Sequence, residues 1–177
     1  MLCSKCKKFK VRVEISHLGS LCANCFCKIF EKRIRKSVRI DRVFSKNDRI
    51  LVSDKLSEYL VKEIIKGMPV KIFFRKLDDD FVKREKINKV VVGWTLDDEV
   101  NQFLEKLLFN RKSKEVKYVK LLKSVTDEEV EAFVKIKKIK FSLNEKNEDI
   151  SEFISVLNEK YDDIKFGLGK SIKKLKS

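Results

Sequence analysis

Four cysteines near the start of the chain form two pairs with the spacing of a metal site. Cys3 and Cys6 make one Cys-x-x-Cys pair, and Cys22 and Cys25 make another. A tight turn lets two thiolates hold one ion, and residues 11–21 are short enough to be a hairpin that brings the second pair back to the first. The sequence therefore predicts a zinc finger over residues 1–27, with a structural Zn²⁺ bound by these four cysteines.

Disulfide bonding is the alternative use of these cysteines. The chain is more basic and richer in lysine than a small secreted domain, and it opens with no apolar signal segment, so we expect free thiols. Cys27 is a fifth thiol, expected in the first turn of the next helix, with metal ligation as the alternative. His17 lies between the two pairs, where we expect a surface position or a contact to a metal ligand rather than ligation.

Charge is distributed unevenly along the chain. The formal net charge is +15 at pH 7, and residues 1–50 contain 14 Lys and Arg against 4 Asp and Glu.

A hydrophobic fraction of 43% is that of a globular protein. No stretch approaches the roughly 20 apolar residues that a membrane-spanning helix needs, so we expect a soluble, cytoplasmic protein with no membrane partner.

Residues 28–46 are expected to form a basic linker helix after the finger. Apolar side chains recur every four residues from Phe26 to Val38, and most of the cations fall on the opposite side. A row of like charges is unfavourable unless an anionic partner neutralises it, so the pattern favours nucleic-acid binding over an ordinary solvated face. The predicted nucleic-acid-binding residues are Lys28, Lys32, Arg33, Arg35, Lys36, Arg39 and Arg42.

From residue 47 to 143, short β-branched runs alternate with helical periods. This alternation predicts an α/β domain with a mostly parallel sheet covered on both faces. Asp54, Thr95, Ser124 and Thr126 stand where strands give way to helices and are expected to act as N-caps. Residues 144–177 are predicted to be a helical segment that ends in a frayed, Lys-rich tail. The predicted strands are 50–52, 70–74, 89–92 and 116–122, and the helices are 54–66, 78–87, 96–109 and 127–139.

Several of these pieces together resemble the TtuA family of tRNA 2-thiouridine synthetases, which belong to the PP-loop ATP-pyrophosphatase superfamily. The resemblance is carried by the finger, by the helix FEKRIRKSV, by the strand DRILVS and by GWTLDDEV at residues 93–100, where the family reads GHNLDDEA. It implies a reduced, Rossmann-like PP-loop fold of the adenine nucleotide α-hydrolase type. It also implies a role connected with tRNA thiolation.

The chain departs from the family pattern at two places. The family follows its first strand with SGGKDS, a glycine-rich loop that holds ATP phosphates, whereas this chain reads Ser53-Asp54-Lys55-Leu56-Ser57. The family also holds an iron–sulfur cluster with cysteines later in its chain, and this chain has no cysteine after Cys27. The resemblance therefore predicts a degenerate, shortened member without ATP, without an iron–sulfur cluster and without catalysis.

Asp97 and Asp98 survive from the family motif. Together with Ser53 and Ser57 they are expected to mark a vestigial nucleotide site, although acidic residues in a first helical turn are explained equally by the helix dipole. Trp94 replaces the family's histidine and is expected to pack over the strand end, with base stacking as the alternative.

These expectations combine into one functional hypothesis with two alternatives. The chain is predicted to be a non-catalytic tRNA-binding subunit of a tRNA thiolation system, paired with an active TtuA-like homologue or, failing that, with itself. The first alternative is a minimal active ATP-dependent tRNA-modifying enzyme. The second is a DNA-binding regulator that uses the finger as a zinc ribbon, which the absence of a recognition-helix module disfavours.

Overall fold

The computed structural model describes residues 1–109, 118–161 and 163–175. Its centre is a four-stranded parallel sheet with the order β4-β3-β5-β6, and a separate two-stranded hairpin lies near the N-terminus. The predicted α/β class and parallel sheet are confirmed. The elements are β1 (Val13–Ile15), β2 (Gly19–Leu21), α1 (Ala23–Ile40), β3 (Arg49–Val52), α2 (Lys55–Ile64), β4 (Lys71–Phe74), α3 (Asp79–Arg84), β5 (Lys89–Val92), α4 (Leu96–Phe109), β6 (Val119–Lys120), α5 (Asp127–Lys137), α6 (Glu148–Lys160) and α7 (Ile164–Leu175).

The strands and helices predicted for residues 47–143 lie within a few residues of those observed. The basic helix predicted for residues 28–46 is observed as α1, which begins at Ala23 and ends at Ile40. The β6 prediction covered 116–122, of which 116 and 117 lie outside the described residues, and the strand itself is limited to Val119–Lys120. Helix α7 continues through the expected tail to Leu175, and its Ile172 is only 2% exposed. The end of the described chain is therefore a packed helix, because α7 rests on α4 and α6.

The N-caps predicted from the sequence are observed, with one exception. Asp54 caps α2 by accepting a hydrogen bond from the Ser57 amide, and Thr126 caps α5 in a reciprocal pair with Glu129. The Thr95 hydroxyl accepts from the Asp98 amide at the start of α4. Ser124 caps nothing, because Thr126 already occupies the N-cap position two residues later.

The hydrophobic core is shared between the finger and the sheet. Phe26, Phe30 and Ile34 of α1 are almost fully buried, and the Phe30 ring stacks on Phe133 of α5 with 4.2 Å between centroids. Hairpin residues such as Leu21 belong to the same cluster. Because α1 buries its apolar stripe against α5 and the sheet, its opposite face is fixed toward the solvent.

A second, smaller core joins the C-terminal helices. Leu96, Val100 and Leu104 of α4 pack there with Ile150 and Ile154 of α6, and Ile172 of α7 completes the cluster. None of the described helices combines the length and the apolar character that crossing a membrane requires.

Candidate metal centre and nucleic-acid interface

The two cysteine pairs are brought together by a turn, a hairpin and a helix start. The first pair lies on a turn in which the Lys7 amide donates to the Cys3 carbonyl at 2.9 Å, and Lys7 takes a positive φ of 53°. Strands β1 and β2 then return the chain antiparallel, with Gly19 at φ +72° where the hairpin turns. Cys22 is the N-cap of α1 and Cys25 lies in its first turn.

The four sulfur atoms have the spacing of ligands that share one ion. All four Sγ atoms lie within 4.8 Å of one another, and those of Cys6 and Cys22 are 3.8 Å apart. A tetrahedral ion with Zn–S bonds of about 2.3 Å separates its sulfur ligands by about 3.8 Å. All four thiols are free. The finger therefore fits a single metal ion held by the four predicted cysteines.

The ionisation of these thiols also favours a cation at the centre. Burial opposes ionisation of Cys3, but backbone amides that donate to its sulfur lower the pKa to about 6. Burial and the neighbouring Cys22 and Cys6 sulfurs raise the pKa of Cys25 to about 12. Some of the four thiols thus ionise readily while another resists, because negative charge accumulates on adjacent sulfurs. A bound cation removes this conflict.

Cys27 and His17 lie outside the metal group. Cys27 is buried in the main core, where burial raises the pKa of its thiol. His17 lies in the hairpin turn, with its Nε2 atom 3.2 Å from the Glu129 carboxylate and its ring edge against Phe166. The histidine therefore connects the finger to α5 and α7.

Helix α1 carries a basic face that is exposed along its length. Lys28, Lys32, Arg35, Lys36 and Arg39 are all exposed, and Arg42 follows at the end of the helix. Arg35 makes only long contacts, 3.9 Å to Glu31 and 3.7 Å to Glu63. Within the described part of the chain, no carboxylate pairs with the other five cations. We call these six side chains the basic face: Lys28, Lys32, Arg35, Lys36, Arg39 and Arg42.

Arg33 differs from the other cations predicted to bind nucleic acid. Its Nη1 atom lies 2.6 Å from the Glu129 carboxylate, which is 1% exposed, and its guanidinium lies over the Phe166 ring. Glu129 is thus held by Arg33 from α1, by His17 from the finger and by the Thr126 amide of its own cap. This arrangement places Arg33 in the attachment of α1 to α5 and α7.

The predicted nucleotide-site residues lie at the carboxyl end of the parallel strands. Ser53 is exposed directly after β3, and the Asp54 carboxylate accepts from the Ser57 amide at 2.7 Å, at the N-terminus of α2. The Ser57 hydroxyl is buried and has no hydrogen-bond partner among the described residues. In this conformation, a carboxylate of the chain itself occupies the helix N-terminus, where an anion would otherwise be favoured.

Asp97 and Asp98 are fully engaged within the protein. Asp98 accepts from the Thr95 amide at 2.8 Å and from Asn144 at 2.8 Å, and it lies 3.0 Å from the Lys146 ammonium. Asp97 accepts from the Asp127 amide at 2.9 Å and pairs with Lys165. The two carboxylates thus connect the start of α4 to α5, to the segment before α6 and to α7.

The same cluster shifts the ionisation of its neighbours. Burial and the adjacent Asp97 carboxylate raise the pKa of Asp127. Burial alone would lower the pKa of Lys146, but bonds to Asp127 at 2.6 Å and to Asp98 outweigh it and raise the pKa. We call this cluster the strand-end network, formed by Thr95, Asp97, Asp98, Asp127, Asn144, Lys146 and Lys165.

Sequence reasoning missed the segment that covers this end of the sheet. The Phe141 ring packs so closely on Gly93 that a Cβ atom there would lie 2.7 Å from it, and Asn144 donates to the Gly93 carbonyl. Asp54 lies on the same side, 3.5 Å from that Cβ position. Trp94 packs nearby, donating to Glu99 at 2.9 Å with the Lys120 ammonium over its ring. No local motif distinguishes Phe141, Asn144 or Lys146 from other loop residues.

Comparison with known proteins shows what this architecture is. No protein-family model matches the sequence, and no curated protein matches it. Among solved structures, the U34-tRNA thiolase NcsA from Methanococcus maripaludis with its [4Fe-4S] cluster is similar over 99% of this chain and 87% of its own, with a TM-score of 0.72 and 15% identity. The chain has the fold of a tRNA thiolase. This likeness confirms the fold implied by the family resemblance.

The prediction that the chain is not an enzyme is wrong. The missing glycine-rich loop and cluster cysteines led to that prediction, yet a solved structure with this fold is an enzyme. The substituted loop is also an ordinary, well-capped helix start, which does not demonstrate the loss of an active site. The prediction failed because it inferred the loss of an activity from the absence of two sequence motifs.

Proposed function

We propose that the chain binds tRNA as part of a tRNA-modification system of the thiolation type. The observation that carries the proposal is the basic face, in which five cations have no carboxylate partner among the described residues. The fold supports it, because the similar solved protein is named as a tRNA thiolase. A tRNA backbone supplies closely spaced phosphates, and Lys and Arg that neutralise phosphates release condensed counterions.

The finger supports this role by fixing where the basic face points. Cys22 begins α1 and Cys25 lies within its first turn, so a bound ion anchors the helix at the end where the basic face starts. Farther along the helix, the ion pair between Arg33 and Glu129 attaches α1 to α5. Cations held on a rigid helix lose less conformational entropy on binding than cations on a flexible tail, which increases affinity.

We propose zinc as the resident ion. The spacing of the four sulfurs matches ligands on one ion, whereas a four-iron cluster would hold each thiolate on a different iron atom and so spread the sulfurs further apart. Elemental analysis of the purified protein is expected to find about one zinc per chain. Stoichiometric iron and sulfide, with the visible absorption of a cluster, would contradict the proposal.

The function is tested by tRNA binding with charge-reversed variants. Replacing Lys28, Lys32, Lys36 and Arg39 by Glu is expected to weaken tRNA binding at least about 100-fold, since several phosphate contacts are lost together. A control with the same change in net charge replaces four exposed lysines elsewhere, Lys66, Lys71, Lys76 and Lys83, by Glu. Equal losses in both variants would mean that net charge alone, and not the basic face, drives binding.

A second candidate is an ATP-dependent tRNA-modifying enzyme, which the fold of an enzyme over 99% of the chain favours. Nucleotide would bind at the carboxyl end of the strands, where Asp54 would have to release the N-terminus of α2. Calorimetry with ATP and magnesium, followed by a search for adenylated tRNA, tests this candidate. Binding and adenylation would establish it, and the absence of both would exclude it.

The partner of the chain stays a prediction. We propose a hetero-oligomer with a TtuA-like enzyme, with a homodimer as the alternative, and co-purification with mass spectrometry of bound protein and RNA distinguishes the two. The DNA-binding alternative is tested in the same binding assay. A preference for duplex DNA over tRNA at equal salt would favour it.

A further inference from the structure

A cleft runs beside α1 on a side that the sequence analysis did not identify. Its larger part is a cavity of about 880 Å³ between α1, the start of α4, the loop after β6 and α7. A second cavity of about 340 Å³ continues along β6 to the end of α1. The two share Ser37, Asp41, Glu99 and Lys123, so they form one continuous cleft.

Basic side chains outnumber acidic ones along the cleft. Four of them, Arg33, Lys120, Lys123 and Lys173, already pair with carboxylates of the chain. Of the described residues that line the two cavities, seven are Lys or Arg and three are Asp or Glu. Arg42 belongs both to this lining and to the basic face, so the cleft begins where the basic face ends. An anionic chain bound along the basic face can therefore continue into the cleft without leaving positive surface.

Several polar side chains that line the larger cavity have no partner among the described residues, including Ser124, Lys170 and the exposed Asp163. The Ser124 hydroxyl is buried and forms no hydrogen bond with any described residue. Lys170 on α7 is exposed and has no carboxylate partner in the described part of the chain. By contrast, Lys123 and Lys173 both lie near Asp41, at 2.7 Å and 3.6 Å. A buried hydroxyl without an internal partner is normally satisfied by water or by a ligand.

The lining also includes apolar side chains and aromatic rings. Leu96, Phe166 and Ile172 line the larger cavity, and Tyr118 lines the smaller one. Gly167 leaves the cleft open, because a Cβ atom there would meet nothing within 4 Å. Arg33 and His17 already pack against Phe166, so Tyr118 is the ring left for stacking. Cations at the rim, an aromatic ring and an apolar floor are the features with which proteins hold unpaired nucleotides.

We propose that this cleft holds unpaired nucleotides of a bound RNA, with a phosphate contacted by Lys170. The inference rests on the proposed RNA-binding function and adds a preference for loops over paired helices. A duplex is too wide to enter a cavity of about 880 Å³, so paired RNA is limited to the basic face. Splayed nucleotides fit a cavity of this size, which lies in the range of ligand sites.

The test compares a synthetic RNA stem–loop with a fully paired RNA duplex of equal phosphate number, using the full-length, metal-loaded protein. The wild type is expected to bind the stem–loop about tenfold more tightly, since base stacking and the extra contacts exist only for unpaired nucleotides. Gly167→Leu fills the cleft from a position with free space, and it should remove the preference while duplex binding is unchanged. Ser171→Leu places the same side chain on α7 outside the cleft and should retain the preference.

A photo-crosslink to the wild type keeps the test independent of variant folding. Thiouridine placed in the loop is expected to crosslink to peptides that contain Tyr118 or Lys170. Equal affinity of the wild type for both RNAs, preference retained in Gly167→Leu, or crosslinks confined to the basic face would overturn the proposal. If charge reversal on the basic face also leaves RNA binding unaltered, the proposed function itself fails, which the duplex measurement reveals separately.

Discussion

The basic face of α1 and the strand-end network use charge in opposite ways. On the basic face, five of six cations have no partner among the described residues, whereas in the strand-end network Asp97, Asp98 and Asp127 each accept hydrogen bonds and pair with Lys146 or Lys165. In the strand-end network, carboxylates and cations of the chain neutralise each other and stabilise the fold. On the basic face, the repulsion between unpaired cations is relieved only when an external anion binds. The difference separates the residues that hold the molecule together from those that we propose to bind RNA.

The largest expected effect comes from the metal centre that supports the basic face. Cys22→Ser removes one ligand and is expected to unfold the finger, because structural zinc contributes on the order of 10 kcal/mol to folding. A chelator should act in the same way on the wild type. Circular dichroism during thermal unfolding measures both. Cys27→Ala is the matched control, since it removes a buried thiol outside the metal group without burying a hydroxyl, and it should unfold near the wild-type temperature.

Asp98→Ala tests whether the strand-end network contributes to stability independently of tRNA binding by the basic face. It removes the acceptor for the buried Thr95 amide and one of two carboxylates near Lys146, so the free energy of unfolding should fall by about 3 kcal/mol. Affinity for tRNA should be unchanged at a temperature where the variant is folded. Urea unfolding and tRNA titration measure the two quantities. Weaker tRNA binding by the folded Asp98→Ala variant would contradict the claim that the strand-end network takes no part in binding.

The strand-end network also predicts a pH dependence. Bonds to Asp127 and Asp98 raise the pKa of Lys146 above the usual lysine value of 10.5. The charged form is therefore favoured by folding, and its contribution is complete below pH 10.5 and is lost as pH rises through the higher, folded-state pKa. Lys146→Met should lower stability at neutral pH and flatten this alkaline decline. Urea unfolding across the alkaline range checks it, and identical slopes would show that Lys146 is not responsible.

The smallest expected effect is that of one cation on the basic face. Lys32→Ala should weaken tRNA binding uniformly across sequences and reduce the salt slope by about one unit, as for one lost phosphate contact. Lys135→Ala is the control, because this exposed lysine already faces Glu131 on α5. Fluorescence anisotropy at several salt concentrations resolves the difference. A larger effect of the control would contradict the assignment of the basic face.

Local patterns predicted most of the fold and part of the candidate site. The cysteine spacing, the apolar period of α1 and the Asp54 and Thr126 caps depend on neighbours within a few residues, and sequence reveals such features directly. The partners of Asp97 and Asp98 lie in segments that are distant in sequence, such as Lys165. Pairing at that separation depends on how α7 packs on α4, which no local period encodes.

Adjacent residues on α1 show the same limit. Lys32 and Arg33 are neighbours of like charge, yet only Arg33 reaches Glu129, because a helix turns about 100° per residue and presents them to different surroundings. The sequence placed both among the nucleic-acid-binding residues. Ser124 was predicted as a cap and instead lines the cleft, because Thr126 provides a complete capping box two residues later.

The most direct test of the account is the salt dependence of tRNA binding. With six cations on the basic face, the logarithm of the association constant should fall with the logarithm of salt concentration with a slope of about −4 to −5. The variant reversed at Lys28, Lys32, Lys36 and Arg39 should lose most of this slope, and the variant reversed at Lys66, Lys71, Lys76 and Lys83 should keep it. A wild-type slope near zero, or equal slopes in the two variants, would contradict the claim that the basic face binds tRNA.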